Sequence, residues 1–417
     1  MELPRKLVEF RRLRSRLRLE PQALLELRER KLRSLVRHVW RNVPYYRSRL
    51  EEAGVDPASI RTLADLDRIP VTTKDDLREA GYAAILARGT NPNACIRYRT
   101  SGTTGKILLV LASPAEARER LLVELRGLWA AGLLRPRERL VVIGPVRWGP
   151  RRRHQRLGFL RRDYISPWLP VADQIARLEQ LRPDVLWAYP SMLLAIVDRL
   201  GGRLSAAARP RALVTSAEGV PPELAAAVRA DLDIEWFNFY GSMETGRIAW
   251  QCRAHDGLHL NADRLVVELL NTPAGVPRTV VTALDSRTMP ILRYDLGDET
   301  APVEGLCRCG VSFPRIQAPG GRISGLLRLP GGRTMASWSL RSIIRELPGV
   351  DQYRLVLEAP THLVVHVVLE SSAPDPASEA ERRLRPLLGP SVRLDVVTAE
   401  TLPPGPPRTD LSPTPSR

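Results

Sequence analysis

A chain of 417 residues can hold more than one hydrophobic core, and 44% hydrophobic with 26% charged residues describes a globular protein, not a disordered or fibrous one. The formal charge of +17 raises nucleic acid as a partner, but the charge is almost all arginine spread along the chain, with lysine only at positions 6, 31, 74 and 106. No zinc-finger spacing, RNP-like aromatic motif or basic stripe interleaved with aromatics accompanies it, no apolar run reaches the ~18–20 residues of a membrane-spanning helix, and Met1 to Lys6 lacks the apolar segment of a signal peptide. The expectation is a cytoplasmic protein with no specific nucleic-acid partner.

In chain order, residues 5–50 carry Leu24, Leu27, Leu32, Leu35, Val36, Val39 and Trp40 at helical spacing, which predicts two amphipathic helices ended by Pro44. Thr72 or Thr73 is placed to cap a short helix that follows. Next comes Tyr98-Arg99-Thr100-Ser101-Gly102-Thr103-Thr104-Gly105-Lys106, then the apolar Ile107-Leu108-Leu109-Val110, read as a buried strand. From there strands at 140–144, 185–189, 212–215 and 236–240 alternate with helices near 114–132, 172–181, 191–200 and 221–230, the signature of a doubly wound α/β domain. Short β runs at 265–270 and 279–282 mark a β-rich part. Helices at 338–347 and 376–388 with strands at 352–357, 362–369 and 391–397 predict a small α+β domain. The proline-rich tail 403–417 reads as unstructured.

The loop Thr100–Lys106 suits phosphate, because hydroxyls and close-approaching backbone N–H groups satisfy its oxygens and the lysine compensates its charge. It is not the loop of a P-loop NTPase, which needs glycine where Thr100 stands and Ser or Thr where Ile107 stands. Asn238-Phe239-Tyr240-Gly241-Ser242-Met243-Glu244-Thr245 adds an aromatic ring, a close-approach glycine, a hydroxyl and a carboxylate in one turn, and Leu292-Arg293-Tyr294-Asp295-Leu296-Gly297-Asp298 adds acidic groups. In a doubly wound fold ligands gather at the carboxyl ends of strands, so Thr100–Lys106, Thr215–Glu218 and Tyr240–Glu244 are candidates for one crevice. No G-x-S-x-G elbow supports a hydrolase mechanism.

A second constellation is Cys252, followed by His255 and His259, with Cys307-Arg308-Cys309-Gly310 further on. Thiolates and an imidazole from two separated hairpins suit tetrahedral zinc, and a closed set of four ligands is structural rather than catalytic. Cys95 stands outside it.

The motifs at 98–106, 238–245 and 292–298, with Gly321-Arg322, resemble in order and spacing those of the AMP-forming acyl-adenylate superfamily. More narrowly they resemble its phenylacetate-CoA ligase-like branch, as do Val43-Pro44-Tyr45-Tyr46-Arg47 and Ile69-Pro70-Val71-Thr72-Thr73-Lys74. The resemblance runs from about residue 30 to 400. It implies an amino-terminal adenylate-forming domain (1–321, with a zinc-bearing β-rich part at about 252–320), a small mobile carboxy-terminal domain (322–402) and a disordered tail (403–417). It implies that Thr100, Ser101, Gly102, Thr103, Thr104, Gly105 and Lys106 wrap the phosphates of ATP, with Thr104 and Lys106 taking part in catalysis. Ala217, Glu218 and Tyr240 would then enclose the adenine, Gly241 would belong to the same nucleotide site, Ser242 would lie near the α-phosphate, Glu244 would hold Mg2+, Asp298 would bind the ribose, and Arg322 would stand at the domain joint. The branch carries a histidine in a Gly-Leu-His context, which selects His259 over His255 as the zinc ligand beside Cys252, Cys307 and Cys309.

The implied reaction activates a small carboxylic acid as acyl-AMP with release of pyrophosphate, then transfers the acyl group to a nucleophile, coenzyme A first among them. Trp148, Arg151 to Arg153, His154 and Tyr164 mark where the acid pocket is expected. Two departures stand against the pattern. No lysine follows Lys106, so the lysine that the superfamily's small domain brings to the site is absent, Arg408 being the basic residue near its place. Arg322-Ile323-Ser324-Gly325 also lacks the acidic pair that often follows the arginine. The alternative these departures leave is a degenerate, nucleotide-binding relative acting as a partner protein. The sequence leaves the identity of the acid and the oligomeric state open, a dimer included.

Overall fold

The computed structural model describes residues 2–417 except 101–106, 145–152, 272–277, 320–325, 331–332, 337–339, 342, 345, 360, 371–372, 401 and 403–417. The chain folds into two compact units, each assembled from separate stretches. One comprises Met1–Thr100, Leu108–Leu134 and Phe237–Gly321; the other comprises Ser101–Ile107, Arg135–Trp236 and Arg322–Arg417.

The first unit begins with the helices Glu2–Ser15 and Pro21–Asn42. The second of these buries Leu24, Leu32, Leu35, Val36 and Val39 along one face, as its spacing requires. Pro44 does not simply end helical structure. It opens a further helix, Pro44–Glu52, because a proline at the first helical position forgoes an N–H that would have had no partner. Thr73 caps the helix Lys74–Ala80 in a reciprocal box with Asp76. The strands Ile96–Arg99 and Leu109–Ala112 pair antiparallel. Ser113 and Glu116 form the same kind of box at the start of the helix Pro114–Ala130.

Two antiparallel arrays complete this unit. Leu265–Leu270, Arg278–Ala283 and Tyr294–Glu299 make one. The other runs, in order of pairing, Pro302–Val303, Arg315–Ile316, Leu258–Leu260, Gly246–Gln251 and Glu235–Ser242. Leu32, Leu35, Val39, Tyr46 and Leu50 from the amino-terminal helices share one core with Val266, Leu284 and Leu292. A wholly buried ion pair lies between elements of the same unit. Arg126 donates to both carboxylate oxygens of Asp263 at 2.9 and 2.8 Å and to Asn261 Oδ1 at 2.7 Å. Burial works against the Asp263 charge, but Arg126, Lys31 and Arg16 outweigh it and hold its pKa below the usual range.

In the second unit four parallel strands lie in the order Ala212–Ser216, Val185–Ala188, Arg139–Ile143, Arg161–Ile165. The helices Val171–Leu181, Pro190–Arg199 and Pro222–Asp231 contribute Leu178, Met192, Leu193, Ile196, Leu224 and Val228 to the core against Val141, Ile143, Leu186 and Leu213 of that sheet. The edge strand Arg161–Ile165 was not expected, since its Arg-Arg-Asp-Tyr lacks an apolar run. Further on, Val350–Ala359 pairs antiparallel with His362–Leu369, which pairs parallel with Arg393–Thr398 after the helix Ala377–Leu388. That is the small α+β array the sequence predicts. Ile107 packs into its core, and the Ile107 N–H donates to Asp351 O at 3.0 Å.

Candidate active site

The motif around Glu244 occupies the turn between the paired strands Glu235–Ser242 and Gly246–Gln251. A Cβ on Gly241 would meet Gly246 O at 2.6 Å, so the close approach that demands glycine there is made by the chain itself. Gly246 closes the turn at φ +77°, and Ser242 Oγ accepts the Thr245 N–H at 3.2 Å. Glu244 is buried at 8% exposure, and its Oε1 accepts the Tyr294 hydroxyl at 2.9 Å. From the preceding strand, Tyr240 donates its hydroxyl to Asp298 Oδ2 at 2.7 Å. Burial and the adjoining carboxylates push both phenols above their ordinary pKa, so both are neutral donors.

The strand bearing Tyr294 and Asp298 is held by the two amino-terminal motifs. The Tyr46 hydroxyl donates to Pro290 O and accepts the Leu292 N–H, each at 3.1 Å. Thr72 N–H donates to Arg293 O at 2.8 Å, and Asp295 N–H returns a bond to Thr72 O at 2.9 Å. Arg293, in the left-handed region at φ +47°, is buried with its guanidinium on Glu268 at 2.8 Å and on the carbonyls of Asp67 and Ile69. The Val-Pro-Tyr-Tyr-Arg and Ile-Pro-Val-Thr-Thr-Lys segments therefore act on the candidate site through the backbone they hold.

Thr100 is buried, and its Oγ1 accepts the Leu108 N–H at 2.9 Å across the neck of the hairpin. In the second unit, Ala217 takes φ +71° just past the strand Ala212–Ser216, and Glu218 Oε2 accepts the Ser191 N–H at 2.9 Å at the start of the helix Pro190–Arg199. The side chains of Ser216 and Thr215 accept the indole N–H groups of Trp187 and Trp236 at 3.0 and 2.9 Å. Ser101, Gly102, Thr103, Thr104, Gly105, Lys106, Trp148, Arg151, Arg152, Arg322 and Arg408 lie outside the described residues.

The four predicted zinc ligands come together in the first unit. Cys252 follows the strand Gly246–Gln251, His259 sits in Leu258–Leu260, and Cys307 and Cys309 lie in the turn between Pro302–Val303 and Arg315–Ile316. Their ligand atoms lie within 4.8 Å of one another, with Cys252 Sγ 3.6 Å from Cys307 Sγ and Cys309 Sγ 3.3 Å from His259 Nε2. His259 Nδ1 faces Phe313 O at 3.2 Å, and since a carbonyl only accepts, Nδ1 carries the proton and Nε2 is left free to ligate. Burial pushes the His259 pKa down to about 4 and that of Cys252 up to about 12. His255 takes no part; its ring packs on Phe237 at 5.0 Å.

No protein-family model matches the chain. Phenylacetate-coenzyme A ligase of Thermus thermophilus is 28% identical over 357 residues, covering 81% of this chain and 78% of its own. The enzyme of the same name from Escherichia coli is 25% identical over 363 residues, covering 82% and 80%. The chain is a relative of the phenylacetate-coenzyme A ligases. Its fold matches that of 2-hydroxyisobutyryl-CoA ligase, solved with 2-HIB-AMP and CoA in the thioesterification state, with a TM-score of 0.63 at 21% identity over 93% of this chain and 89% of that one. The α/β architecture expected from the sequence is thus that of the acyl-CoA ligases.

The sequence alone assigns no role to Tyr294, Arg293 or Arg120, which the hydrogen bonds of the structure single out. Tyr294 stood inside a quoted motif, and only its bond to Glu244 reveals its part. Arg293 stood in the same motif without a role of its own, and Arg120 carries no periodic or spacing signal that sets it apart from the many arginines around it.

Proposed function

We propose that this protein activates a small carboxylic acid with ATP as acyl-AMP, releasing pyrophosphate, and transfers the acyl group to coenzyme A. The observation that carries the reading is the turn in which Glu244 is held by Tyr294 while Tyr240 and Asp298 are joined beside it, in a chain similar to phenylacetate-coenzyme A ligases over four-fifths of its length. On this reading the Tyr240 ring stacks on the adenine, Asp298 accepts the ribose hydroxyls, and Ser242 lies near the α-phosphate. Ser101 to Lys106 hold the phosphates, Ala217 and Glu218 flank the adenine, and Arg322 stands at the joint before the small domain. No side-chain nucleophile is required, because the carboxylate of the acid attacks phosphorus directly and the site supplies position and charge.

Glu244 fits a magnesium ligand. One carboxylate oxygen is fixed by Tyr294, and among the described residues the other has no hydrogen-bond partner. A hard cation there takes carboxylate and phosphate oxygens and offsets the charge of the triphosphate. Cys252, His259, Cys307 and Cys309 fit structural zinc, since the tetrahedral Zn–S length implies sulfur separations of roughly 3.8 Å, close to the 3.6 Å seen. ATP and coenzyme A as substrates place the reaction in the cytoplasm. Among the described residues no helix is long and apolar enough to cross a membrane.

The test is pyrophosphate exchange into ATP across a library of aromatic and aliphatic acids, with Glu244→Ala as control. Exchange dependent on one class of acid and lost in the variant is expected. No exchange with any acid, with ATP still bound, would overturn the reading.

A further inference from the structure

Arg120 projects from the helix Pro114–Ala130 to the turn that carries Glu244. Its two terminal nitrogens donate to successive backbone carbonyls, Nη1 to Met243 O at 2.9 Å and Nη2 to Glu244 O at 2.8 Å. Its guanidinium carbon lies 4.9 Å from the centroid of the Tyr98 ring, and its methylenes lie where a Cβ on Gly246 would come within 3.4 to 3.5 Å. Other arginines of this unit spend their charge on carboxylates: Arg126 on Asp263, Arg247 on Glu124, Arg264 on Asp285. Among the described residues Arg120 has no ion-pair partner. A partly buried cation is costly unless its donors are satisfied, and here two carbonyl dipoles and an aromatic face satisfy them while the charges of Glu116 and Glu244 favour it from further off.

We propose that Arg120 is a positioning residue which, by clamping the carbonyls of Met243 and Glu244, fixes the Glu244 carboxylate for the cation and phosphates of the nucleotide. This rests on the reading of Glu244 as a magnesium ligand. The geometry gives Glu244 two restraints of different kind: Tyr294 holds the carboxylate, and Arg120 holds the peptide it springs from. With the second removed, the turn Ser242–Gly246 keeps its covalent shape but loses its anchor to the helix, and the carboxylate is free to drift beyond the ~0.5 Å that a cation site tolerates. The planar fork matters as much as the charge. Two donors at fixed spacing match two successive carbonyls, which a lysine ammonium cannot do.

The experiment compares wild type, Arg120→Gln, Arg120→Lys and Glu244→Ala. Mn2+ binding to the ATP-loaded protein is read by electron paramagnetic resonance, and amide exchange of residues 243–246 by mass spectrometry. Arg120→Gln is expected to weaken Mn2+ binding by about 10-fold and to lower the rate of pyrophosphate exchange 10- to 100-fold, as supporting residues of metal ligands do, with KM for the acid unchanged. Arg120→Lys is expected to recover the unfolding temperature but not the Mn2+ affinity, and faster amide exchange at 243–246 should mark both variants. Arg120→Gln that folds and binds Mn2+ as wild type does would overturn the proposal. If Arg120→Gln does not fold, Arg120→Lys decides, and wild-type affinity there overturns it equally. Glu244→Ala with undiminished Mn2+ binding would sink the reading of Glu244 instead, and the clamp would then stand or fall on the amide exchange alone.

Discussion

The Tyr240 hydroxyl donates to Asp298 Oδ2 at 2.7 Å, so the ring expected to stack on adenine also orients the carboxylate expected to bind ribose. Tyr240→Phe keeps the ring and removes that donor. A hydrogen bond to a charged group contributes about 1.5 kcal/mol or more, so KM for ATP should rise roughly 10-fold with kcat little changed. Tyr240→Ala should raise it further. Equal KM values for Phe and wild type in the exchange assay would show that Asp298 needs no such support.

Arg293 is the strained centre of the segment leading to the site. Replacing it with Ala leaves Glu268 a half-buried carboxylate without its guanidinium and frees the carbonyls of Asp67 and Ile69. Breaking a fully buried pair from one side costs about 3–5 kcal/mol, and this pair, with Glu268 half-buried, should lie at or below the low end of that range. Arg293→Met combined with Glu268→Leu should recover much of the loss, as denaturant midpoints would show.

Glu116 joins the helix Pro114–Ala130 to the loop before the strand Tyr294–Glu299. It accepts from Ser113 N–H and Oγ at 2.8 and 2.7 Å, from Arg287 and Thr288 N–H at 2.6 and 3.0 Å, and from the Thr288 hydroxyl. Burial alone would raise its pKa, but these donors outweigh burial and hold it below the usual 4.5. A carboxylate depressed in the folded state contributes stability above the unfolded pKa and loses it as pH falls through the folded value. Glu116→Gln, which turns an amide NH2 toward donors, should cost about 2–3 kcal/mol at pH 7. The gap from wild type in urea titrations should narrow steadily below pH 4.5.

Metal content gives a separate test of the cysteine cluster. Freshly purified protein should carry about one zinc per chain, and Cys307→Ser should lower both that content and the unfolding temperature. Zinc below about half an equivalent, with no effect of a chelator on unfolding, would leave the cluster as buried thiols.

Much of the second unit was legible because its parallel strands are buried on both faces and read as apolar runs. Val185–Ala188 and Ala212–Ser216 fall within a residue of the expected spans. The edge strand Arg161–Ile165 was not legible, since one exposed side lets it carry arginines. Of the candidate residues, Cys252, His259, Cys307 and Cys309 lie together and Tyr240 meets Asp298, while the roles the family resemblance implies for the motif residues stand as proposals. The supports were hidden for a common reason. Tyr46, Thr72 and Arg120 act through backbone carbonyls and N–H groups, as Arg293 does beside its pair with Glu268, and a partner that is backbone leaves no residue type at the other end for a sequence pattern to register.

The tie from Tyr46 to Pro290 spans 244 residues of chain, and it has a consequence for synthesis. At ~5–20 residues per second, a ribosome needs on the order of 12–50 seconds after making Tyr46 to deliver its partner. Through that interval Leu32, Leu35, Val39 and Leu50 have no Val266, Leu284 or Leu292 to pack against. The amino-terminal helices must wait with their apolar face in water or in the keeping of a chaperone, and the first unit closes only when the last of its three stretches has emerged.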